Sequence, residues 1–495
     1  MHERPRPTTL LEAIDLLGAL WAEHAALQAE NAALRAENTA VRAENAALRA
    51  TIERLEARLV TLEARLNQSS RTSSKPPSSD PPSVPPRPSR GRGQRPRGGQ
   101  PGHPGQARTL LPTEQVDRVV RLVPPACQRC GITLAPNLPA VAPGGRRQIW
   151  ELVPRLVAVT EYQRAPVACP CCALVQTAPW PADLPPGAFG PGVVAVTALL
   201  QRYRLSDRET ADFWQAVAGL PISLGSIPAL CAQVSTALAP VDAAIHQHVQ
   251  TQPVVHVDET GWREEARRGW LWTATTAVAT CFRIQHRRNR AAFAEVLATD
   301  FGGLLVSDRY GVYRRVPAHR RQLCWAHLVR NLRGCLERTP AGRAWAQAML
   351  DQVDAIFAHW RWYRAEQIER LHLQVLTAPH RQAIEALLQS PPLDDPPAEA
   401  LRRDLLRSWD ALWTFIQVEG VEPTNNAAER ALRPAVLWRK GCYGTQSAAG
   451  SRFVERLLSV VATCRQQGRD VLTFLRDAVI AGWAHAPAPP LFSPG

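Results

Sequence analysis

These 495 residues contain no run of about 18 consecutive apolar residues of the kind a membrane-spanning helix needs, although 45% of the chain is apolar. The opening MHERPRPTTL likewise lacks the apolar stretch of a secretory signal. Both absences predict a cytoplasmic protein. Eleven cysteines is an odd number for a disulfide framework, and four of them fall into CxxC pairs, which suits a metal site in a reducing compartment. Acidic residues are scarce between 69 and 108, where Asp80 stands alone against Arg71, Lys75, Arg87, Arg90, Arg92, Arg95, Arg97 and Arg108. Eight positive charges against one give that segment +7, half of the net +14. It is too rich in Ser, Pro and Gly to build a core, so it reads as a disordered tether. Such a tether suits nucleic acid first and an acidic membrane surface second, and charge for solubility alone explains it equally well.

What is present begins with a zipper. Leu20, Leu27, Leu34, Val41, Leu48, Leu55 and Leu62 recur every seven residues. With these at d, the a positions hold His24, Asn31, Asn38, Asn45, Ile52, Leu59 and Leu66, and repeated Asn at a favours two parallel strands. Glu30, Glu37 and Glu44 at g would face Arg35, Arg42 and Arg49 at the following e positions of a partner. A single amphipathic helix packed on its own domain explains neither pattern. Residues 10–68 are therefore expected to form a homodimeric coiled coil.

Residues 109–185 carry Cys127 and Cys130, then Cys169 and Cys172, across a strand-like stretch. Four thiolates on two turns would suit a closed structural zinc site. Buried free cysteines are the alternative, and Cys171 makes the second pair ambiguous. Residues 186–250 turn helical, with a start at Ser206, a helix to about Ala218, a glycine-containing turn and a second helix from Ser226. A DNA-binding helix-turn-helix, with Arg202, Arg204 and Arg208 near phosphate, fits this outline as well as a plain helical hairpin does.

Between 251 and 330 the period becomes that of strands: VVHVD (254–258), GWLWTATT (269–276), ATCFRI (279–284) and GGLLVSD (302–308), with AAFAEVLA as a helix. Two of the four end in an aspartate, Asp258 and Asp308. Either one alone is an ordinary loop or cap residue. Much later, NNAAER places Glu429 three residues after Asn426, the spacing of a capping box. Two strand-end aspartates together with a helical glutamate, however, can hold a pair of divalent ions for phosphoryl displacement.

The blocks VVHVDETGWR, LLVSDRYGVYRRV, RQLCWAHLVRNL and PTNNAAERALRP resemble the insertion-sequence 66 family of bacterial DDE transposases, as does the order of zipper, SSKPPSSD tether and double CxxC. The resemblance covers nearly the whole chain and is weakest in 186–250 and the last dozen residues. It implies an α/β RNase H-like catalytic domain over 251–470, with a helical insertion at about 340–418 and a C-terminal helix and tail at 471–495. It further implies a triad of Asp258, Asp308 and Glu429 holding two magnesium or manganese ions. DNA, as terminal inverted repeats and target, is the implied partner, together with companion proteins of the same element and a nucleoid-associated location. A noncatalytic DNA-binding regulator and a standalone RNase H-like nuclease are the rival readings.

Neighbouring residues extend the expected site. Glu259 is a rival ligand that strand alternation turns to the other face. Cys324 and His327 could bind metal, but two ligands with no evident partners are more often structural, and they are expected to brace the core, with orienting DNA as a further role. Arg430 and Arg433 are candidates for phosphate contact, and Arg439 with Lys440 for a phosphate clamp on a glycine-flanked loop. Trp262 and Trp438 would stack on a base or, more simply, pack in the core.

Overall fold

The computed structural model describes residues 9–66 and 179–492, with short stretches between 110 and 176. The tether residues Arg92, Arg95 and Arg97, and Cys127, Cys169 and Cys172 of the expected zinc module, lie outside the described residues; Cys130 is described and exposed. By internal contacts the chain divides into two units, residues 1–85 with 330–339 and residues 86–329 with 340–495.

The first unit contains α1, an unbroken helix of 57 residues, Leu10–Leu66. Thr9 and Glu12 close its start by exchanging backbone-to-side-chain hydrogen bonds, each 3.3 Å long. Along it Leu20, Leu27, Leu34, Val41, Leu48 and Leu55 are all exposed, an apolar stripe facing outward every seventh residue.

The second unit opens with a short antiparallel pair, Val167–Ala168 with Val175–Gln176. Helices α2 (Pro191–Arg202), α3 (Asp207–Ala218) and α4 (Ser226–Gln250) follow. Ser206 caps α3 through a full capping box with Glu209. α4 has the length and hydropathy of a membrane span, yet Val234, Leu238, Ile245 and Val249 along it are fully buried in the protein core. Its exposed positions include Pro228, Ala229, Ala232 and Thr236, which offer no charge to a phosphate. α4 thus buries one face in the core, an arrangement common to a plain helical hairpin and a helix-turn-helix.

A mixed five-stranded sheet forms the centre. Its strands are β1 (Val254–Glu264), β2 (Arg267–Thr275), β3 (Thr280–Gln285), β4 (Leu304–Ser307) and β5 (Arg321–Leu323), in the order β3-β2-β1-β4-β5. The first three are antiparallel neighbours, whereas β4 runs parallel to β1 and β5 parallel to β4. β1 is longer than VVHVD predicts. Residues 258–264 continue as a hairpin with β2, from Asp258 opposite Thr273 to Glu264 opposite Arg267. On its other edge β1 pairs with β4 through His256 opposite Val306.

α5 (Arg290–Val296) links β3 to β4, and α6 (Trp325–Leu336) follows β5. A helical segment then intervenes: α7 (Pro340–Arg364), α8 (Arg370–Gln389), α9 (Pro396–Arg407) and the short α10 (Thr414–Gln417). The chain returns with α11 (Asn426–Cys442), α12 (Ala448–Gln466) and α13 (Val471–Trp483). α11 packs on β1 and β2, and α12 on β3 and α4. One continuous core joins β1–β4 to α2, α4, α5, α11, α12 and α13, with Val255, Val257, Leu271, Trp272 and Phe293 inaccessible to solvent. Trp262 and Trp438 belong to this core, so neither offers a face to a base.

Candidate active site

The register of β1 and β4 determines where the two aspartates emerge. His256 and Val306 are opposed; Asp258 follows the first by two residues and Asp308 follows the second by two. Side chains two apart in a strand share a face, so parallel strands in this register deliver both carboxylates to the same side where their pairing stops. Asp258 Oδ1 accepts the Glu259 amide at 2.9 Å, and Asp308 Oδ1 accepts the Tyr310 amide at 2.8 Å. Burial pushes the Asp258 carboxyl well above the ordinary carboxylate range, and Glu259, Asp308 and Glu429 push it further through their negative charge. Glu429 therefore lies close enough to Asp258 to repel it, 171 positions along the chain.

Glu429 does not cap its helix. The N-cap of α11 is Asn425, one residue earlier than the capping-box spacing predicts, and it makes no side-chain cap bond. Asn425 is instead wholly buried and turned to the sheet: its Nδ2 donates to the Val257 carbonyl at 2.8 Å, and its Oδ1 faces His256 Nδ1 at 3.2 Å. Desolvation lowers His256 to about 4, so the ring is neutral and Nδ1 can donate to Asn425. The Glu429 side chain, one turn further on and 39% exposed, approaches His327 Nδ1 at 3.7 Å.

Glu259 is held elsewhere. Arg288 Nε donates to it at 2.7 Å, its guanidinium forms an ion pair with it, and the Tyr313 hydroxyl donates to its other oxygen. Arg288 lies 3.8 Å above the centre of the Tyr310 ring, and Tyr313 packs edge-on against Phe293 at 5.1 Å. With both oxygens engaged, Glu259 is a buttress beside the aspartates. The loop after Asp308 is tied down as well: Arg309 and Arg314 both bind Asp404 of α9, at 2.7 and 2.6 Å. Asn425, Arg288, Tyr313 and Asp404 are positioning residues that sequence reasoning did not single out. Asn425 stands inside the NNAAER block, the one signal that could have drawn attention to it.

Of the expected phosphate ligands, Arg430, Arg433 and Lys440 are exposed on α11. Arg439 differs. The segment expected as a loop is the last turn of α11, and Arg439 points inward, donating to the Gly261 carbonyl and to Thr260 Oγ1 at 3.1 Å. The loop begins at Tyr443, whose φ of 62° closes the helix, and at Gly444, φ +119°, where a Cβ would collide with the Arg263 carbonyl. Arg263, Arg268 and Lys440 rim a cavity of about 600 Å³ there. Cys324 does brace the core, its Sγ accepting the Asn425 amide at 3.1 Å, and burial raises its thiol to about 11.

Acidic residues thus gather where the pairing of two interior strands of a mixed sheet stops, and comparison with known sequences names the family. Residues 187–452 match the Transposase IS66 family, more than half of the chain, which therefore belongs to that family. Residues 22–109 match a family of unknown function (DUF6444). Three Sinorhizobium fredii proteins are similar. Uncharacterized protein y4hP is 25% identical over 422 residues, 76% of this chain and 74% of its own length. Uncharacterized protein y4qI is 26% identical over 248 residues, 44% of either chain. Uncharacterized protein y4jO is 29% identical over 186 residues, 37% of this chain and 55% of its own length.

Proposed function

We propose that this transposase cuts and joins DNA through an RNase H-like domain whose catalytic carboxylates are Asp258, Asp308 and Glu429. The observation that carries the reading is the gathering of acidic groups at Asp258, a half-buried carboxyl raised by desolvation and by the negative charge of Glu259, Asp308 and Glu429. Uncompensated like charges at this density are unfavourable, and divalent cations are what such a cluster suits. The sheet order β3-β2-β1-β4-β5, with three antiparallel strands followed by two parallel ones, supports the fold assignment.

Asp258, Asp308 and Glu429 would hold two magnesium or manganese ions, which when bound lower the pKa of an attacking water or hydroxyl and offset charge on the leaving oxygen. The chain's own residues orient those carboxylates. Backbone amides fix one oxygen each of Asp258 and Asp308, Asn425 sets the start of α11 against β1, and Arg288 with Tyr313 keeps Glu259 out of the cluster. Arg430, Arg433 and Lys440 would bind phosphates along α11. In this reading α1 pairs two chains as a zipper, Cys127, Cys130, Cys169 and Cys172 hold a structural zinc, and the 69–108 tether adds sequence-independent affinity for DNA.

The test is strand cleavage and joining by the purified chain with magnesium and labelled DNA bearing the element's ends, with Asp258→Asn, Asp308→Asn and Glu429→Gln beside the wild type. The reading expects wild type to cut and join, and all three variants to bind DNA without cutting. Wild type that binds without cutting, even with companion proteins of the element added, would favour a noncatalytic regulator. Cutting without joining would favour a standalone nuclease.

A further inference from the structure

Cys324, His327 and Glu429 form a second group of ligand-type side chains that the catalytic reading uses only through Glu429. Cys324 immediately precedes α6, His327 lies in the first turn of that helix, and Glu429 lies in the first turn of α11. One sulfur, one imidazole nitrogen and one carboxylate oxygen all lie within 4.8 Å of one another. The 3.7 Å between His327 Nδ1 and Glu429 Oε1 is too long for an N–H···O hydrogen bond. It is close to the edge of a tetrahedron around zinc, which is about 3.3–3.6 Å for nitrogen and oxygen ligands at about 2.0–2.2 Å.

The donor set argues for a particular ion. Magnesium takes oxygen ligands and has no use for a thiolate, whereas a sulfur, nitrogen and oxygen set suits zinc or a similar thiophilic ion. Cys324 is 1% exposed and sits where the Asn425 amide already points at its sulfur, a contact that favours negative charge there. Three protein ligands would leave a fourth position open.

We propose that Cys324, His327 and Glu429 bind a zinc-class ion, and that its binding draws Glu429 away from Asp258 and Asp308 and so switches strand cleavage off. The switch rests on the catalytic reading above; the binding site does not.

Zinc content and activity test the two parts separately. The full-length chain is dialysed against zinc, and bound metal per chain is measured by atomic absorption for wild type, Cys324→Ser, His327→Gln and a Cys127→Ser/Cys130→Ser double variant, with circular dichroism confirming folding. Cobalt in place of zinc reports thiolate ligation by its charge-transfer absorption. Cys324→Ser and His327→Gln are each expected to lose one equivalent relative to wild type, while the double variant retains the equivalent that depends on Cys324. Undiminished zinc in both single variants overturns the site. Cleavage with magnesium is then compared with and without micromolar zinc within each protein. Zinc is expected to slow the wild type by about tenfold or more and Cys324→Ser far less; equal sensitivity of the two overturns the switch. If wild type never cleaves, the catalytic reading fails, while the stoichiometry still decides the site.

Discussion

Asn425 Nδ2 donates to the Val257 carbonyl at 2.8 Å, joining the start of α11 to the middle of β1. One residue beyond Val257 stands Asp258, and one helical turn beyond Asn425 stands Glu429. This single hydrogen bond thus fixes two carboxylates that are remote in sequence. Asn425 is fully buried, so removing its side chain leaves the Val257 carbonyl and His256 without their partner. Asn425→Ala is expected to cost about 1–3 kcal/mol in urea unfolding. It should also reduce strand cleavage more than DNA binding. Unchanged stability and cleavage would show that α11 is placed by packing alone.

Asp258 sets function against stability. Its half-buried carboxyl feels the charge of three others, and the hydrogen bond it accepts from the Glu259 amide can be kept by asparagine. In metal-free buffer Asp258→Asn is therefore expected to raise the melting temperature, with a gain of about 1 kcal/mol, while abolishing cleavage. Differential scanning fluorimetry with a chelator present checks the first half. A lower melting temperature would mean that the carboxylate is stabilised by something other than the cations proposed.

The parts of this site legible in sequence are those carried by local pattern. Alternation in VVHVD and LLVSD marked two strands and the aspartates, and the heptads marked α1. What local pattern could not show is pairing. β1 continues to Glu264 because its later residues find Thr273 to Arg267 opposite them, a tertiary fact that VVHVD does not contain. The role of Asn425 was hidden for the same reason: its partners are 168 and 169 positions away. Arg439 was misplaced because glycines 441 and 444 suggest a loop, whereas α11 runs through the first and stops just before the second.

Arg439 and Lys440 are adjacent in sequence and are expected to fail differently. Arg439 is turned to Gly261 and Thr260, while Lys440 is exposed at the rim with Arg263 and Arg268. Arg439→Ala should cost about 1–2 kcal/mol of stability through its lost hydrogen bonds. Lys440→Ala should leave stability unchanged and lower the salt dependence of DNA binding by about one ion. Fluorescence anisotropy across a salt series, beside chemical denaturation, separates the two. Identical effects from both variants would refute the distinction.

The stripe on α1 makes a prediction about assembly. Leu34 and Leu48 are 53% and 54% exposed in the single chain, too much apolar surface to leave in water along so long a helix. Asn31 and Asn45 bond their own helix carbonyls, at 3.1 and 3.0 Å to Leu27 and Val41. In a dimer these amides can face each other and set the register. Analytical ultracentrifugation should find a dimer, and Leu34→Lys with Leu48→Lys should convert it to monomer. A monomeric wild type would remove the zipper.

Glu455 on α12 predicts how stability varies with pH. It is 1% exposed, accepts the Ile284 amide of β3 and pairs with Arg452 at 2.7 Å. Burial raises its carboxyl to about 7, although Arg452, the Ile284 amide and Arg283 act the other way; Asp242 reinforces the rise. An unfolded chain releases this proton near the ordinary glutamate value of about 4.3, so between there and 7 the folded state holds more protons. Stability from this group is fully present below the lower value and is lost as pH rises through about 7. The loss is on the order of 3 kcal/mol at the alkaline end. Glu455→Gln keeps an acceptor for the Ile284 amide without the charge, so its melting temperature should fall less steeply from pH 5 to pH 8 than that of wild type. Parallel curves for the two proteins would show that Glu455 stays ionised throughout, held by Arg452 and Arg283.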